Sequence, residues 1–174
     1  MHPTNFRDVG EALGLWLDAP PVSTRRLFRG GSFDALTQLE DLGSPRTILN
    51  LRRGPDPAHL LATLVHVPAP DDLENYHTQT RRVSDWVRAA LQVLAAPETE
   101  WPVYVHCTSG RDRTGVVVAA ALVLAGVPRE VIVEEYALSS GGNVAHIERA
   151  LDGLGPHLLE SPAAARLRRH LLPP

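Results

Sequence analysis

The 174-residue sequence contains no lysine, so all 17 of its basic side chains are arginines. They are outnumbered by 20 acidic residues, and the formal net charge is -3. A general nucleic-acid binder carries a strong positive charge, so this balance argues against a nucleic-acid partner. Any anion-binding site in this chain is therefore local and built from a few arginines.

Cysteine occurs once, at Cys107, which excludes an intrachain disulfide and any disulfide-stapled scaffold. The lone thiol is either inert core packing or reactive.

Long apolar runs are also missing: the longest, Val116–Val127, falls short of the about 20 residues that cross a bilayer, so it predicts a buried helix and no membrane span. The first ten residues, MHPTNFRDVG, lack the apolar stretch of a secretory signal, and we expect a cytoplasmic protein.

Hydrophobic residues make up 44% of the chain, and the absence of repeats and long linkers predicts a single domain over residues 1–174. Short apolar runs predict strands, and longer stretches with helical spacing predict helices. The predicted strands are Arg46–Leu51, Leu64–Val67 and Val103–His106, and the predicted helices are Leu73–Ala96, Thr114–Ala125, Pro128–Ser139, Asn143–Leu154 and Pro162–Leu172. This alternation indicates an α/β fold of three layers, with a central, mostly parallel sheet flanked by helices.

The segment Val105–Gly115, VHCTSGRDRTG, lies between the third predicted strand and the next predicted helix. Parallel sheets bind ligands where their strands end, and a loop that enters a helix N-terminus directs backbone N–H groups at an anion. Five residues separate Cys107 from Arg113, enough to wrap one tetrahedral oxyanion, and the small Ser109 and Gly110 let the backbone approach closely. The predicted phosphate-binding residues are Thr108, Ser109, Gly110, Arg111, Asp112, Arg113 and Thr114.

Cys107 stands at the start of this loop, where amide dipoles and the Arg113 cation stabilise a thiolate, the nucleophilic form of the thiol. The planar guanidinium of Arg113 suits two oxyanion oxygens at once, and Thr114 could donate its hydroxyl to the sulfur. For His106 two interpretations stay open: it orients the loop through a ring N–H, or it is a buried structural histidine. Asp112 could brace the loop by accepting bonds from amides or arginines.

The segment His106–Thr114 has the form HC-x5-RT and resembles the signature of the cysteine-dependent protein tyrosine and dual-specificity phosphatase superfamily. Three further segments resemble the bacterial atypical tyrosine phosphatases related to a secreted mycobacterial tyrosine/lipid phosphatase: Asn5–Gly10 (NFRDVG), Leu27–Gly31 (LFRGG) and Tyr136–Ser139 (YALS). The matches span about residues 5–140. Two departures are visible, because Arg111 replaces a common lysine and the family's DLR segment is NLR at residues 50–52.

The resemblance implies a tyrosine-phosphatase-like fold and two chemical steps: the Cys107 thiolate attacks phosphorus, and water then hydrolyses the cysteinyl-phosphate. It implies no metal and no organic cofactor. The steps need a proton donor and then an acceptor, and one mobile aspartate can fill both roles. We expect Asp71, which follows the second predicted strand, to do so. Asp72, which could instead cap the next helix, and Asp112, inside the loop, stay as alternatives.

The implied substrate is a phosphorylated protein or a small phosphomonoester, with phosphotyrosine first and phosphoserine or phosphothreonine next. A phosphoinositide phosphatase and a non-catalytic phosphate-binding module are the alternatives, although an intact Cys107 argues against the module. Sulfur transfer and arsenate reduction are disfavoured because the chain has no second thiol to resolve an intermediate. Five further arginines could form a site for an extra phosphate or a lipid headgroup, but scattered arginines in a lysine-free chain more often belong to the solvated surface: Arg52, Arg53, Arg81, Arg82 and Arg111.

Overall fold

The structure is a computed structural model that describes residues 1–172, so positions 173 and 174 of the expected 1–174 domain lie outside the described residues. The strands are β1 Arg7–Asp8, β2 Leu27–Gly30, β3 Thr47–Asn50, β4 Thr63–His66 and β5 Val103–His106. The α-helices are α1 Val9–Leu13, α2 Arg81–Ala95, α3 Asp112–Leu124, α4 Arg129–Ala137, α5 Val144–Leu151 and α6 Ser161–Leu171. The strands form one sheet in the order β1-β2-β5-β3-β4, in which β1 is antiparallel to β2 and all other neighbours are parallel.

Alternate residues of the central strands face two separate clusters of buried side chains. Leu49 and Val105 face the larger cluster, to which all six α-helices of the described chain contribute. Ile48 and Tyr104 face the smaller cluster, which is closed by loops and the 3-10 helix Leu39–Leu42. This alternation follows from the pleat of a strand. The expected mostly parallel sheet flanked by helices is confirmed, and the layer over its second face is thin.

α3 is the central helix, as its apolar sequence predicts. Every residue from Arg113 to Leu122 is buried, and Gly126 follows the helix with a positive φ of 83°. The chain enters α3 through the loop that leaves β5, so the N-terminus of α3 points toward the carboxyl edge of the sheet. None of the helices described in residues 1–172 is long and apolar enough to cross a membrane.

The predicted helix Leu73–Ala96 is wrong in its first part. Leu73–Tyr76 is a 3-10 turn, and a further turn separates it from α2. The side chain of Asn75 donates to the backbone carbonyls of Pro70 (2.7 Å) and Asp72 (3.0 Å). Such local bonds compete with a continuous helix, which explains the break.

β1, β2 and α1 were not predicted from the sequence. β1 has two residues, and β2 contains the charged Arg29 between apolar residues, so neither shows a usable hydrophobic period. α1 is a five-residue helix capped by Asp8, whose carboxylate accepts the N–H groups of Gly10 (2.9 Å) and Glu11 (3.3 Å). The other predicted strands and helices differ from the observed ones only at their ends.

Candidate active site

The loop that begins at Cys107 connects β5 to α3 and packs against the end of β2. Cys107 follows the last residue of β5 directly and is 1% exposed. Gly110 has a φ of +69°, and a Cβ atom there would lie 2.2 Å from the backbone carbon of Gly30. Only glycine fits both this backbone conformation and this close contact. The loop is therefore fixed by β2 as well as by the two elements it joins.

Four successive backbone carbonyls of this loop accept hydrogen bonds from groups outside it. The bonds are Ser32 N–H to Thr108 (3.0 Å), the Asn5 side-chain amide to Ser109 (2.9 Å), Arg29 to Gly110 (3.1 Å) and Gly115 N–H to Arg111 (2.8 Å). The N–H groups of the same peptide units, at residues 109–112, have no acceptor among the described residues. Because the C=O and N–H of a peptide unit point in opposite directions, these N–H groups point away from the partners of the carbonyls and are free to bind an anion on the other side of the loop.

The guanidinium of Arg113 lies beside the loop and is almost fully buried, with 3% exposure of the residue. It donates to the Ala69 carbonyl (3.1 Å) and the Thr108 hydroxyl (3.2 Å), and it lies 3.3 Å from a carboxylate oxygen of Asp71. Its Nε is buried and has no partner among the described residues. Arg113 therefore brings a cation and an unused donor to the start of α3.

The candidate acids Asp71 and Asp72 are neighbours with different contacts. Asp71 is ion-paired with Arg113, yet its side chain is 76% exposed. Asp72 caps the 3-10 turn by accepting the Glu74 N–H at 2.9 Å, and its carboxylate lies 3.7 Å from Arg82. The alternative role of Asp72 as a cap therefore matches its contacts, and Asp71 is the one of the two that reaches the loop arginine.

Asp112, the third candidate acid, is an acceptor in a buried polar cluster. It accepts hydrogen bonds from the Tyr76 hydroxyl (2.5 Å) and from Arg111 (3.0 Å), and Tyr76 also bonds the Tyr136 hydroxyl at 2.7 Å. Burial acts to raise the pKa of Asp112, but the bonds from Arg111 and Tyr76 outweigh it and hold the pKa below its ordinary value. Burial and the bond to Asp112 raise the pKa of Tyr76. These contacts fit a bracing role for an ionised Asp112.

His106 is fully buried, and both of its ring nitrogens are engaged. Nε2 lies 2.8 Å from the carboxylate of Asp56, and Nδ1 lies 3.2 Å from the Cys107 carbonyl. Asp56 is itself 3.3 Å from Arg52. The histidine therefore combines the two interpretations left open above, because it belongs to a buried network and also contacts the start of the loop. Asp56 was not predicted as part of this network.

The bond proposed from Thr114 to the Cys107 sulfur is not formed in this structure. The Thr114 hydroxyl is buried and has no hydrogen-bond partner among the described residues. Its donor therefore faces the interior beside the loop without being used by another protein group.

Most of the arginines considered for a second phosphate are already paired with carboxylates. The pairs are Arg52 with Asp34 (2.6 Å), Arg81 with Asp85 (3.7 Å), Arg82 with Asp72 (3.7 Å) and Arg111 with Asp112 (2.9 Å). The pairs of Arg81 and Arg82 are exposed and contribute little stability. All four carboxylates reduce the positive field that a second phosphate would meet.

Several residues that contact the loop were not given a role from the sequence. Asn5 and Arg29 bond loop carbonyls, and Glu135 joins Arg29 (2.7 Å) to Arg7 (2.8 Å). All but Glu135 lie in the segments that resemble the bacterial phosphatases, and Glu135 directly precedes the third of them. The resemblance marked these segments, but it could not show that they meet at the loop.

A sequence model of the tyrosine phosphatase family matches residues 2–168, and the chain belongs to this family. A tyrosine-protein phosphatase of Nostoc commune is 47% identical over 45 residues, which is 26% of this chain and 15% of that protein. The triple specificity protein phosphatase PtpB of Mycobacterium tuberculosis is 43% identical over 53 residues, which is 30% of this chain and 19% of that protein. The matches thus span less than a fifth of either relative's length.

Solved structures share the fold at low sequence identity. The core catalytic domain of the PP-IP phosphatase SIW14 from S. cerevisiae is 18% identical and matches with a TM-score of 0.62 over 87% of this chain and 86% of that chain. DUSP15 is 18% identical and matches with a TM-score of 0.54 over 84% of this chain and 90% of that chain. The expected tyrosine-phosphatase-like architecture is thereby confirmed.

Proposed function

We propose that the chain forms one phosphatase domain, residues 1–174, that hydrolyses phosphomonoesters through a cysteinyl-phosphate intermediate. The observation that carries this proposal is the buried Cys107 at the start of a loop that lies beside Arg113 and has four successive N–H groups without an acceptor among the described residues. Donors fixed before the substrate arrives stabilise the charge of a phosphoryl group without reorganising during the reaction. The names of the two curated relatives, both phosphatases, support the same activity.

In the first proposed step the Cys107 thiolate attacks phosphorus, and a sulfur–phosphorus bond forms as the bond from phosphorus to the ester oxygen breaks. The loop N–H groups and Arg113 hold the three remaining oxygens. Asp71 gives its proton to the leaving oxygen, so the product departs as an alcohol or a phenol. Its position supports this assignment, because the carboxyl lies beside Arg113 and its side chain is 76% exposed.

In the second proposed step water attacks the cysteinyl-phosphate, and the sulfur–phosphorus bond breaks. Asp71, now a carboxylate, accepts the proton of the water as inorganic phosphate and the Cys107 thiolate are released. The buried donor of Thr114 lies in the first turn of α3 and is available to the thiolate that departs. The two steps use only groups of the chain and water, and no metal or organic cofactor takes part.

The proposed substrate is a phosphorylated protein, with phosphotyrosine first and phosphoserine or phosphothreonine as a dual specificity. The carboxylate partners of four nearby or surface arginines support a substrate with one phosphate over a phosphoinositide with several. A phosphoinositide remains the alternative. Kinetics measured side by side on a phosphotyrosine peptide, a phosphoserine peptide and a phosphoinositide separate these substrates by their kcat/KM values.

The activity itself is tested with p-nitrophenyl phosphate, with vanadate as inhibitor and Cys107→Ser as the control variant. We expect turnover by the wild-type protein, inhibition by vanadate, and loss of turnover in Cys107→Ser with phosphate binding retained. Phosphate binding without any turnover by the wild-type protein would instead identify a phosphate-binding module.

A further inference from the structure

Arg29 is a fully buried cation on β2 that contacts the loop on the side facing β2. One arm of its guanidinium donates to the carboxylate of Glu135 at 2.7 Å, and the other donates to the Gly110 carbonyl at 3.1 Å. Both Arg29 and Glu135 are 1% exposed or less. Nothing in the proposed chemistry uses Arg29. It lies on β2, and the loop stands between it and the proposed position of the substrate's phosphoryl group.

We propose that Arg29 is a positioning residue that keeps the Gly110–Arg111 peptide unit turned for oxyanion binding. Arg29 holds the Gly110 carbonyl away from the centre of the loop. The N–H of Arg111, at the other end of the same peptide unit, is then directed toward that centre. The inference rests on the proposed function only in that the loop binds an oxyanion.

The peptide unit after Gly110 is the one that most needs such a restraint. Glycine adopts positive and negative φ values about equally readily, so this peptide unit can rotate more easily than its neighbours. If it turned over, a carbonyl oxygen would face the anion in place of an N–H donor, and attraction would become repulsion. A charged donor bonded to the carbonyl opposes that rotation more strongly than a neutral donor would.

The remaining contacts of the cluster supply a counterion to Arg29 and hold its side chain in place. A buried cation without a counterion is costly, and Glu135 supplies the opposite charge. The second oxygen of Glu135 binds Arg7 at 2.8 Å, while Arg7 also donates to the Asn5 carbonyl at 3.2 Å. Burial and the charge of Arg29 lower the pKa of Arg7 to about 10, so Arg7 stays charged at neutral pH. The cations of Arg7 and Arg29 and the carboxylate of Glu135 thus leave a net positive charge on the side of the loop that faces β2.

A purely structural role would also explain these bonds, because Arg29 and Glu135 join β2 to α4. The two roles differ in what happens when the ion pair is replaced without unfolding the protein. Apolar replacement of both members of a buried ion pair is often tolerated, whereas removal of one member leaves an unpaired buried charge. The double variant Arg29→Met with Glu135→Met therefore removes the donor to Gly110 and leaves the net charge of the chain unchanged. It also removes the carboxylate that pairs with Arg7, which keeps its bonds to the Asn5 carbonyl and the Ser139 hydroxyl.

The test measures the affinity of the full chain for inorganic phosphate, with thermal unfolding recorded for each variant. We expect the double variant to unfold cooperatively and to bind phosphate about tenfold or more weakly, the loss set by one charge-assisted hydrogen bond. Arg29→Lys, which keeps the charge but has no fork to bond both partners, is expected to lose less affinity. Ser139→Ala is the matched control, because its hydroxyl bonds Arg7 (3.0 Å) and Arg29 (3.4 Å) but no loop carbonyl, and it is expected to bind phosphate normally.

Wild-type phosphate affinity in a folded double variant would overturn the positioning role. If the double variant does not fold, wild-type affinity in a folded Arg29→Met single variant, in which Glu135 keeps Arg7 as its counterion, would overturn it. An equal loss of affinity in Ser139→Ala would also overturn it. Turnover is measured separately: a wild-type protein that binds phosphate but does not hydrolyse p-nitrophenyl phosphate refutes the proposed function and leaves the comparison of variants valid.

Discussion

Asp71 and Asp72 are neighbouring, identical side chains with different contacts. Asp71 contacts Arg113 and is exposed, whereas Asp72 caps a turn. If Asp71 is the general acid, Asp71→Asn lowers kcat by about 100- to 10,000-fold on phosphotyrosine, and the loss shrinks with leaving groups that depart without a proton. The measurement is kcat for phenyl phosphates with leaving groups of graded pKa.

Asp72→Ala is the matched control for that experiment. It removes a cap, so we expect a loss of up to about 1 kcal/mol in the free energy of unfolding and little change in kcat. Asp112→Asn completes the set. A leaving-group dependence that steepens only in Asp112→Asn would place the acid inside the loop and contradict the choice of Asp71.

Arg113 and Arg111 are also near neighbours with different expected sensitivities. Arg113→Lys keeps the charge but loses the fork that can bond two oxygens, and we expect kcat/KM to fall about a hundredfold or more. Arg111→Lys is the control, since Arg111 is partly exposed and bonded to Asp112, and turnover should be largely retained. Near wild-type kinetics for Arg113→Lys on p-nitrophenyl phosphate would show that Arg113 does not clamp the phosphoryl group.

The lowered pKa of Asp112 predicts how stability depends on pH. Because its pKa in the folded protein lies below the ordinary value of 3.8, the unfolded chain binds this proton first as the pH falls. The stabilisation is therefore fully present above that value and is lost as the pH falls through the folded-state pKa. We expect Asp112→Asn to reduce the free energy of unfolding by about 1–2 kcal/mol at neutral pH, and the difference from wild type to shrink in acid. Urea unfolding of the wild-type protein and of Asp112→Asn, from neutral pH into acid, checks this expectation. A difference in unfolding free energy that stays constant with pH would contradict it.

Among the structural elements, sequence reasoning succeeded where the hydrophobic pattern was long or where a short strand contained no arginine or carboxylate. β5 matches its predicted bounds, and α3 was recognisable because it is apolar on every side. The pattern failed where side-chain bonds to the backbone set the structure, as in the 3-10 turn Leu73–Tyr76 ahead of α2. It also failed for β1 and β2, which are short and contain charged residues whose partners lie far along the chain.

The loop between β5 and α3 offers a test at the level of these elements. Gly110→Ala places a Cβ atom against Gly30 in a left-handed conformation, and we expect a loss of roughly 1–3 kcal/mol in the free energy of unfolding together with loss of phosphate binding. Gly126→Ala is the control, because Gly126 has a similar positive φ but open space around it. That variant should bind phosphate normally. Normal binding by Gly110→Ala would show that the contact between the loop and β2 is dispensable.

For the whole molecule, the sequence located the loop but not the groups that hold it. The bonds from Asn5 to Ser109 and from Arg29 to Gly110 join residues 104 and 81 positions apart. No local periodicity reports contacts over such separations, and only the resemblance marked the segments that contain them. The order of the strands explains the contacts, because β2 lies beside β5 and brings the amino-terminal part of the chain to the loop.

We propose that Cys107 carries the phosphoryl group during turnover. The most direct measurement is rapid acid quenching of the wild-type protein during hydrolysis of p-nitrophenyl phosphate, followed by mass spectrometry of the peptide that contains Cys107. We expect a peptide heavier by one phosphoryl group, with the modification on the sulfur and absent before substrate is added. Turnover that persists in Cys107→Ser, with no phosphoryl group on Cys107 in the wild-type protein at any quench time, would contradict it.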